Sequence, residues 1–365
     1  MQKPIFAVCA GGRAGAAMAA DMALMGYKVN LFELERYKEN IDPIIEKGGI
    51  ELSGKTQSGR TGFAKLNRVT SDPEEAIKDA DLIMVTSPAI GHEAFFEAFS
   101  PYLREGQCVL VNTGCWASLR MAPILTDLNV FEKITMAEAN IMPYLSDKQE
   151  YRAQIINVKQ DIRLATFPGD RKSRIFDIIQ LVYPQHKRVP NVLWTNFAPG
   201  NPSVHAPIAL PMTGLMLERN ETSRFYAEAT TCAARLCEAF DKERTAIASS
   251  LGCDVETAFQ YAQKAYGYTG KDIADAYRNS PHAERSIPRE RIRVILEEDL
   301  AFFYVPLVQL GKLLGISTPI SQGIIEIMGA MLNINYWEKG VTVEQLGFAG
   351  LSAEQIVRYV NRGSK

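Results

Sequence analysis

Cysteine, histidine and net charge are all scarce in this sequence. The 365 residues include 6 cysteines and 4 histidines, and the formal net charge is -2. No two cysteines have the Cys-x-x-Cys spacing and the histidines are scattered, so we expect reduced, mostly buried thiols and no metal site. The balanced charge excludes the basic surface that nucleic-acid binding requires.

Long apolar runs are absent as well. No run reaches the roughly 20 residues that a membrane-spanning helix needs. The first residues, Met-Gln-Lys-Pro, lead straight into an apolar strand, without the apolar core and cleavage site of a signal peptide. We therefore expect a cytoplasmic protein without a membrane partner. With 47% hydrophobic residues, the chain can fill a large core, and its length is typical of two domains.

The first half of the sequence alternates between strand and helix signals. Short apolar runs at Ile5–Cys9, Lys28–Glu33, Leu82–Thr86 and Cys108–Asn112 predict strands buried on both faces of a parallel sheet. This βαβαβ order predicts an α/β fold with a doubly wound, Rossmann-type sheet. Helices are predicted at Ala14–Met25, at Tyr37–Lys47 and from Asp72-Pro73 onward, with a hairpin or excursion in 49–70.

The second half shows apolar residues at helical spacing and no convincing alternating strand pattern. We therefore predict a dinucleotide-binding domain over residues 1–190 and an all-α substrate and catalytic domain over residues 191–365. Apolar positions on the helices leave a homodimer open. Helices are predicted at Thr222–Leu251, Asp254–Tyr266, Arg289–Leu314 and Pro319–Leu332.

A glycine-rich loop follows the first predicted strand and opens the first helix, which is the context that dinucleotide binding requires. The fingerprint G-x-G-x-x-G falls on Ala10, Gly12 and Gly15. Gly12 would let the backbone approach a pyrophosphate, and Gly15 would let the helix pack closely. Since Ala10 replaces the first glycine, the loop is shifted or uses Gly11 instead. The predicted cofactor-binding residues of the loop are Ala10, Gly11, Gly12, Arg13, Ala14 and Gly15.

Glu33 ends the second predicted strand, about twenty residues after the glycines, where a carboxylate can hold the ribose 2′-hydroxyl. A carboxylate there repels a 2′-phosphate, so NAD(H) is favoured as cofactor. Arg13 and Arg36 are close enough in sequence to accept a 2′-phosphate, so NADP(H) stays open. A solvated glutamate at a strand end is the alternative interpretation.

Two further loops follow predicted parallel strands, at the edge where α/β sheets bind ligands. Pro88 and Ala89 come after the third strand, and residues 112–114 come after the fourth. We predict that both loops line the nicotinamide ribose.

A Rossmann domain does not define a reaction, so the second half must supply the acid or base. His205 lies between prolines at the start of a helical stretch, and Asp299 lies inside an apolar run where a carboxylate needs a partner. Imidazole titrates near neutral pH, and a carboxylate fixes its tautomer. The two residues are therefore a candidate acid/base pair, although a lone histidine is more often a hydrogen-bonded core residue.

Together with these residues, several segments resemble the opine dehydrogenases, the relatives of octopine dehydrogenase, over nearly the whole chain. The resemblance implies an enzyme that joins the amine of an amino acid or amine to a 2-oxo acid, usually pyruvate, and reduces the imine with NAD(P)H. The most specific segments are FDKERTAIASSLG from Phe240, EEDLAFFYVPLVQLGKLLGISTPI from Glu297 and KGVTVEQLGFAGLSAEQI near the C-terminus; AVCAGGRAGAAMAADMALMGY from Ala7, SPAIGH from Ser87, AEANIMPY from Ala137 and NPSVHAP from Asn201 agree.

The same resemblance assigns the site residues. His205 matches the catalytic histidine of the family and Asp299 its partner. The family has an arginine five residues before that aspartate, which holds the oxo-acid carboxylate, but Val294 occupies the position here. Arg293 is the predicted replacement, with Arg291 close by, because guanidinium groups pair with carboxylates through two hydrogen bonds. A surface arginine in the basic stretch of Arg289, Arg291 and Arg293 is the equal alternative.

Glu138 matches a family glutamate near the substrate, where it would bind the amino group or a cationic side chain. A structural hydrogen bond at a strand end is the equal alternative for Glu138. Asn201 would lie beside His205 in the substrate site.

Two other functions stay open. A 2-dehydropantoate- or 3-hydroxyacid-type reductase would act on a simple oxo acid; such enzymes rely on a lysine, and after Asp299 the first lysine is Lys312. A non-catalytic dinucleotide-binding regulator would explain Ala10 and the displaced arginine. The sequence does not name the amine, the oxo acid or the product stereochemistry.

Overall fold

The structure, a computed structural model, describes residues 3–198, 200–219 and 221–364. The chain forms two compact units. Unit 1 runs to Thr195 and includes Asn361–Gly363, whereas unit 2 contains Asn196–Val360.

Unit 1 contains an eight-stranded sheet and a four-stranded sheet. Its strands are β1 (Ile5–Cys9), β2 (Lys28–Phe32), β3 (Ile50–Gly54), β4 (Gly62–Ala64), β5 (Arg68–Thr70), β6 (Leu82–Val85), β7 (Cys108–Asn112), β8 (Thr135–Ala139), β9 (Tyr144–Gln149), β10 (Arg152–Val158), β11 (Ile162–Phe167) and β12 (His186–Arg188). Its helices are α1 (Arg13–Leu24), α2 (Asp42–Lys47), α3 (Pro73–Ile77), α4 (His92–Phe99), α5 (Ala117–Asp127) and α6 (Ile175–Gln180), and α7 (Val192–Asn196) contains the boundary.

The eight-stranded sheet has the order β12-β11-β8-β7-β6-β1-β2-β5. It is parallel from β8 to β5, and β11 reverses the direction beside β8. The chain builds outward from β1 through β2 and β5, then returns to form β6 on the other side of β1. This reversal places a topological switch point at the carboxyl ends of β1 and β6, where such sheets bind ligands. The predicted doubly wound Rossmann sheet is confirmed.

Helix α1 is buried from Gly15 to Met22 because it packs against strands of both sheets. The four-stranded sheet has the order β4-β3-β10-β9. The predicted hairpin forms as β3 and β4, whereas β8 to β12 were not predicted. Inside this layer, the Asp21 carboxylate accepts hydrogen bonds from the Gln57 backbone (3.0 Å) and from the hydroxyls of Ser58 and Tyr144.

Unit 2 is helical except for one short antiparallel ladder among its described residues. The ladder consists of β13 (Thr222–Ser223) and β14 (Ile287–Pro288). The helices are α8 (Pro202–Ala209), α9 (Thr231–Ser250), α10 (Ala258–Tyr266), α11 (Ile273–Arg278), α12 (Arg289–Asp299), α13 (Val305–Leu314), α14 (Pro319–Leu332), α15 (Tyr336–Lys339) and α16 (Ala353–Arg362).

Four predicted helices differ from the structure at identifiable residues. The helix predicted from Asp254 begins at Ala258, where the Thr257 side chain caps α10. The helix over 37–47 is divided, because Pro43 lacks the N–H of a helix interior and lies in the first turn of α2. The helix over 222–251 begins only at α9, where the Thr230 hydroxyl accepts a hydrogen bond from the Ala233 N–H (3.2 Å). The helix over 289–314 widens into a π-helical segment, Leu300–Tyr304, just before Pro306.

Candidate active site

Ala10 occupies the position of the usual first glycine, and it adopts the backbone conformation of a glycine. Its φ is +87°, in a region that costs a residue with a side chain about 1 kcal/mol or more. Its N–H donates to the Phe32 carbonyl (2.9 Å). The loop therefore keeps the register of the fingerprint at Ala10 and is not shifted to Gly11.

Gly15 and Gly12 have different surroundings. A Cβ atom at Gly15 would lie 1.9 Å from the Ala10 carbonyl oxygen and 2.7 Å from Thr86 Oγ1, so only glycine fits. A Cβ atom at Gly12 would have no neighbour within 4 Å. Gly12 begins α1 without a side-chain cap, and the first amides of a helix have no partner within it. Open space beside free amides is what a pyrophosphate requires, so these residues fit a dinucleotide.

Glu33 holds the glycine loop in place. Its carboxylate accepts hydrogen bonds from the Gly11 N–H (3.0 Å), the Leu34 N–H (3.0 Å) and the Asn40 side-chain amide (3.1 Å). Burial raises the pKa of Glu33, while these hydrogen bonds act to lower it. With 2% of the residue exposed, Glu33 orders the loop directly, and its contact with the ribose stays a prediction.

The two arginines that could accept a 2′-phosphate lie on the surface of unit 1. Arg13 pairs with Asp147 at 3.1 Å, and both side chains are about half exposed. Arg36 is stacked over the ring of Tyr37, 5.1 Å from its centroid.

The loop after β6 contains Pro88 and Ala89 at the switch point, ahead of α4. The Thr86 hydroxyl, which sequence reasoning missed, donates to the Cys9 carbonyl (2.9 Å) and joins β6 to the strand that precedes the glycine loop. His92, the first residue of α4, is fully buried, and burial lowers its pKa to about 3. His92 is therefore neutral and is not a proton donor at neutral pH.

The turn after β7 is strained. Thr113, Cys115 and Trp116 have φ values of +60°, +47° and +63°, a conformation that only a few per cent of non-glycine residues adopt and that clusters of residues adopt at ligand sites. Just before them, the buried Asn112 amide has no hydrogen-bond partner among the described residues. Strain and an unsatisfied amide fit the prediction that this turn belongs to the cofactor site.

Glu138 lies in the interior of unit 1, fully buried in the middle of the sheet. Its carboxylate accepts hydrogen bonds from the Ser118 N–H (3.0 Å), in the first turn of α5, and from the Thr195 hydroxyl (2.8 Å). A carboxylate at a helix N-terminus is stabilised by the helix dipole. These contacts correspond to the structural alternative for Glu138 and do not support a role in binding the substrate amine.

His205 and Asp299 are brought together in unit 2, 94 residues apart in sequence. His205 Nδ1 lies 2.8 Å from Asp299 Oδ2, and the two side chains are 5% and 9% exposed. His205 is on α8, where its backbone N–H donates to the Asn201 carbonyl (2.9 Å). Burial raises the pKa of Asp299, and the charges of His205 and Arg291 act to lower it.

Asp299 is the last residue of α12 before the π-helical segment Leu300–Tyr304. Single π-helical turns inside α-helices occur frequently at functional sites. In the same segment, the Tyr304 hydroxyl donates to the Pro202 carbonyl (2.9 Å) at the start of α8. The irregular turn therefore fixes the helix that carries Asp299 against the helix that carries His205.

A tyrosine that sequence reasoning missed completes the group. The Tyr226 hydroxyl lies 2.9 Å from His205 Nε2. His205 and Tyr226 line one narrow cavity whose other walls are apolar, formed by Phe225, Ile287, Ile292, Ile295 and Leu296. Tyr226 lies in a turn inside the segment that the sequence predicted as the first part of a helix over 222–251, and that prediction gave it no functional role.

The predicted substrate residues of unit 2 lie farther out. Asn201 is exposed at the start of α8, one turn before His205. Arg293 forms an exposed ion pair with Glu297 (2.8 Å). In this structure the Arg293 side chain is half exposed in that ion pair, and its contact with the oxo-acid carboxylate stays a prediction.

Arg285, which the sequence did not indicate as a site residue, lies close enough to the acid/base group for its charge to act on Tyr226. It is partly buried in the extended segment that leads into β14, two residues before Ile287, which lines the cavity. Side chains two residues apart in an extended chain point to the same side. Burial raises the pKa of Tyr226, and the charge of Arg285 acts to lower it. No ion pair with another described residue neutralises this guanidinium.

No three histidine, cysteine, aspartate or glutamate side chains in residues 3–198, 200–219 and 221–364 are grouped so that they could hold a metal ion. Within the same described part of the chain, no helix combines the length and apolar character needed to cross a membrane.

Comparisons with known proteins agree with these features. Residues 188–332 match the family model described as NAD/NADP octopine/nopaline dehydrogenase, alpha-helical domain. The opine dehydrogenase of Arthrobacter sp. (strain 1C) is 28% identical over 361 residues, covering 98% of each chain. An octopine dehydrogenase solved with NADH and agmatine has a TM-score of 0.81 at 16% identity, covering 100% of this chain and 99% of its own. A PanE/ApbA family ketopantoate reductase from Ralstonia eutropha has a TM-score of 0.58 at 15% identity, covering 92% and 99%.

The chain therefore combines a Rossmann-type unit with a helical unit that contains a buried His–Asp pair, and it shares this fold with the solved octopine dehydrogenase. In sequence the chain is similar to the opine dehydrogenases, which are NAD(P)-dependent oxidoreductases that act on CH–NH bonds. The resemblance indicated by the sequence motifs is thereby confirmed. The ketopantoate reductase shares the fold at a lower TM-score and fits the alternative function only weakly.

Proposed function

We propose that this protein catalyses the reductive condensation of an amino acid or amine with a 2-oxo acid, most simply pyruvate, to give a secondary amine dicarboxylate. The observation that carries the proposal is the buried contact of 2.8 Å between His205 and Asp299, within a segment that matches the helical domain of the octopine/nopaline dehydrogenases. The match to the Arthrobacter opine dehydrogenase covers 98% of both chains.

His205 acts as the general acid and base. Condensation removes two protons from the amine nitrogen and places them on the carbonyl oxygen, which leaves as water. A group that accepts and returns protons near neutral pH accelerates such transfers by about 10²- to 10⁴-fold. Asp299 orients the imidazole through Nδ1, so Nε2 is the nitrogen that exchanges protons.

Unit 1 would bind a nicotinamide dinucleotide, which supplies the hydride that reduces the imine. Gly12 and the first amides of α1 would hold the pyrophosphate. We expect NADH to be preferred to NADPH, because the Glu33 carboxylate lies directly behind the loop. The octopine dehydrogenase of similar fold was solved with NADH.

An assay of cofactor oxidation tests the proposal. NADH or NADPH is combined with pyruvate, oxaloacetate or glyoxylate, with and without each amino acid or simple amine. We expect oxidation that needs both an amine and an oxo acid, together with a secondary amine identified by mass spectrometry. Oxidation with the oxo acid alone, giving a hydroxy acid, would instead support the ketopantoate-type reductase. Cofactor binding without turnover on any pair would support the regulator.

Two arginine variants identify the group that holds the oxo-acid carboxylate. We propose that Arg285 performs this role. We expect Arg285→Gln to raise KM for the oxo acid about 10- to 100-fold, which corresponds to the free energy lost with a charge-assisted hydrogen bond. Arg293→Gln, which removes an exposed ion pair, is expected to change KM less than about threefold. The opposite order of effects, measured by initial rates, would restore the assignment that the family resemblance implied.

A cytoplasmic location and a homodimer stay predictions. Cell fractionation tests the first, and light scattering of the purified protein tests the second.

A further inference from the structure

Both ring nitrogens of His205 are engaged in this structure. Nδ1 lies 2.8 Å from the Asp299 carboxylate, and Nε2 lies 2.9 Å from the Tyr226 hydroxyl. The imidazole therefore has no nitrogen left to face a substrate directly. Any proton that passes between Nε2 and a substrate must pass through the Tyr226 hydroxyl, or that hydroxyl must first move away.

The ring of Tyr226 is held on several sides. It stacks on Tyr277 with a centroid distance of 5.0 Å and an interplanar angle of 15°. The edges of Phe225 and His282 contact it at centroid distances of 4.7 Å and 5.0 Å. A ring packed in this way keeps its hydroxyl in one place, so displacement would disturb the whole aromatic cluster.

The surroundings determine the direction of the hydrogen bonds. Burial raises the pKa of Tyr226, so the phenol stays protonated and can donate to Nε2. The Asp299 carboxylate accepts from Nδ1–H. A hydroxyl can donate and accept at once, which is the property that a proton relay requires.

We propose that Tyr226 is the catalytic residue that carries protons between His205 Nε2 and the substrate. The proposal rests on the proposed condensation. The amine enters as its ammonium form, and its first proton passes through the phenol oxygen to Nε2. As the free amine adds to the carbonyl carbon, a second proton passes from the nitrogen through the phenol to the former carbonyl oxygen, which becomes the carbinolamine hydroxyl. In the dehydration step, the Tyr226 O–H gives its proton to the carbinolamine hydroxyl while Nε2–H restores it. The C–O bond breaks, water leaves with the electron pair, and the nitrogen lone pair forms the C=N bond.

The cavity beside these atoms is consistent with this role. Apart from His205 and Tyr226, its walls are apolar. The cavity is small, about 10 Å³, which is room for about one water molecule, and the phenol and the imidazole are the polar groups in its wall.

The test compares two tyrosine variants. Tyr226→Phe keeps the stacked ring and removes the hydroxyl, and we expect kcat to fall about 100-fold or more, with KM for the amine and Kd for NADH within about threefold. Tyr277→Phe removes the hydroxyl of the stacking partner, and we expect kcat within about twofold of wild type. Thermal unfolding of both variants reports on folding.

A fluorinated tyrosine at position 226 changes the acidity of the hydroxyl, so it tests proton transfer through the pH profile of kcat, which a purely structural role would leave unchanged. Difluorotyrosine has a more acidic hydroxyl and nearly the same shape. If Tyr226 relays protons, the variant is active and the pH profile of kcat shifts towards lower pH. The ionisable groups near the hydroxyl, which are unchanged in this variant, are His205, Tyr266, Tyr268, Tyr277, His282, Arg285 and Asp299.

Each outcome decides between the two proposals. If the wild type is active and Tyr226→Phe keeps more than a third of its kcat or gains activity, the relay is wrong and the proposed condensation stands. An unchanged pH profile for difluorotyrosine also overturns it. A wild type without amine-dependent turnover overturns the proposed condensation and the relay together.

Discussion

Replacing His205 by asparagine is expected to lower kcat about 1,000-fold while leaving NADH binding nearly unchanged. Asparagine can still donate to the Asp299 carboxylate, so the variant avoids a buried unpaired charge, but it cannot exchange a proton near neutral pH. The loss lies within the usual range for removing a general acid or base. Steady-state kinetics with the best amine and oxo-acid pair give kcat, and NADH fluorescence titration gives Kd.

His186 provides the matched control for this substitution. It is also buried, and its Nδ1 bonds the Tyr183 carbonyl at 3.1 Å, which an asparagine amide can reproduce. Burial lowers the pKa of His186 to about 4, so it is neutral in the assay. His186→Asn is expected to keep kcat within about threefold of wild type. If His205→Asn retained a tenth of the activity, the acid/base assignment would be wrong.

Gly12→Ala is expected to weaken NADH binding at least about tenfold, or about 1.4 kcal/mol, in a protein that folds normally. The new methyl group enters space that is empty in this structure but that the pyrophosphate would fill. Gly12 has a φ of -67°, which alanine adopts readily, so we expect the free energy of unfolding to change by less than about 1 kcal/mol.

Gly323→Ala is the control for the added methyl group. Gly323 lies inside α14, and its Cβ position is also open. Alanine there is expected to stabilise the helix by up to about 1 kcal/mol and to leave the Kd for NADH unchanged. Equal NADH affinity in Gly12→Ala and wild type would place the cofactor elsewhere in unit 1.

The sequence patterns predicted the parts of the fold that depend on local signals. Buried strands such as Leu82–Val85 and Cys108–Asn112 are short apolar runs between breakers, and α14 has the predicted ends. Strand β10 escaped prediction although it forms a local hairpin with β9 and its first residues alternate between exposed and buried. Only its second partner, β3, lies about 100 residues earlier in the chain.

The sequence predicted only those site residues whose chemical type is unusual for their position in the chain. His205 and Asp299 were recognised because a charged residue in an apolar run requires a partner. Tyr226 and Arg285 were not, since their places depend on an irregular turn and on the segment before β14. Arg293, which the family resemblance suggested, is half exposed and paired with Glu297, so its role stays a prediction.

Glu138 illustrates a further limit. A buried glutamate in a family motif can bind substrate or form structural hydrogen bonds, and the sequence alone does not distinguish these two roles. Its hydrogen bonds to Ser118 and Thr195 provide both carboxylate oxygens with protein partners, which a sequence pattern does not reveal.

The most direct test of the central claim follows the hydride. NADH carrying deuterium on the transferred position of the nicotinamide is incubated with the enzyme, pyruvate and an amine, and the products are analysed by mass spectrometry. Reductive condensation predicts a secondary amine with one deuterium on the former oxo carbon, formed only when the amine is present. Deuterated lactate, formed at the same rate with or without the amine, would contradict the account.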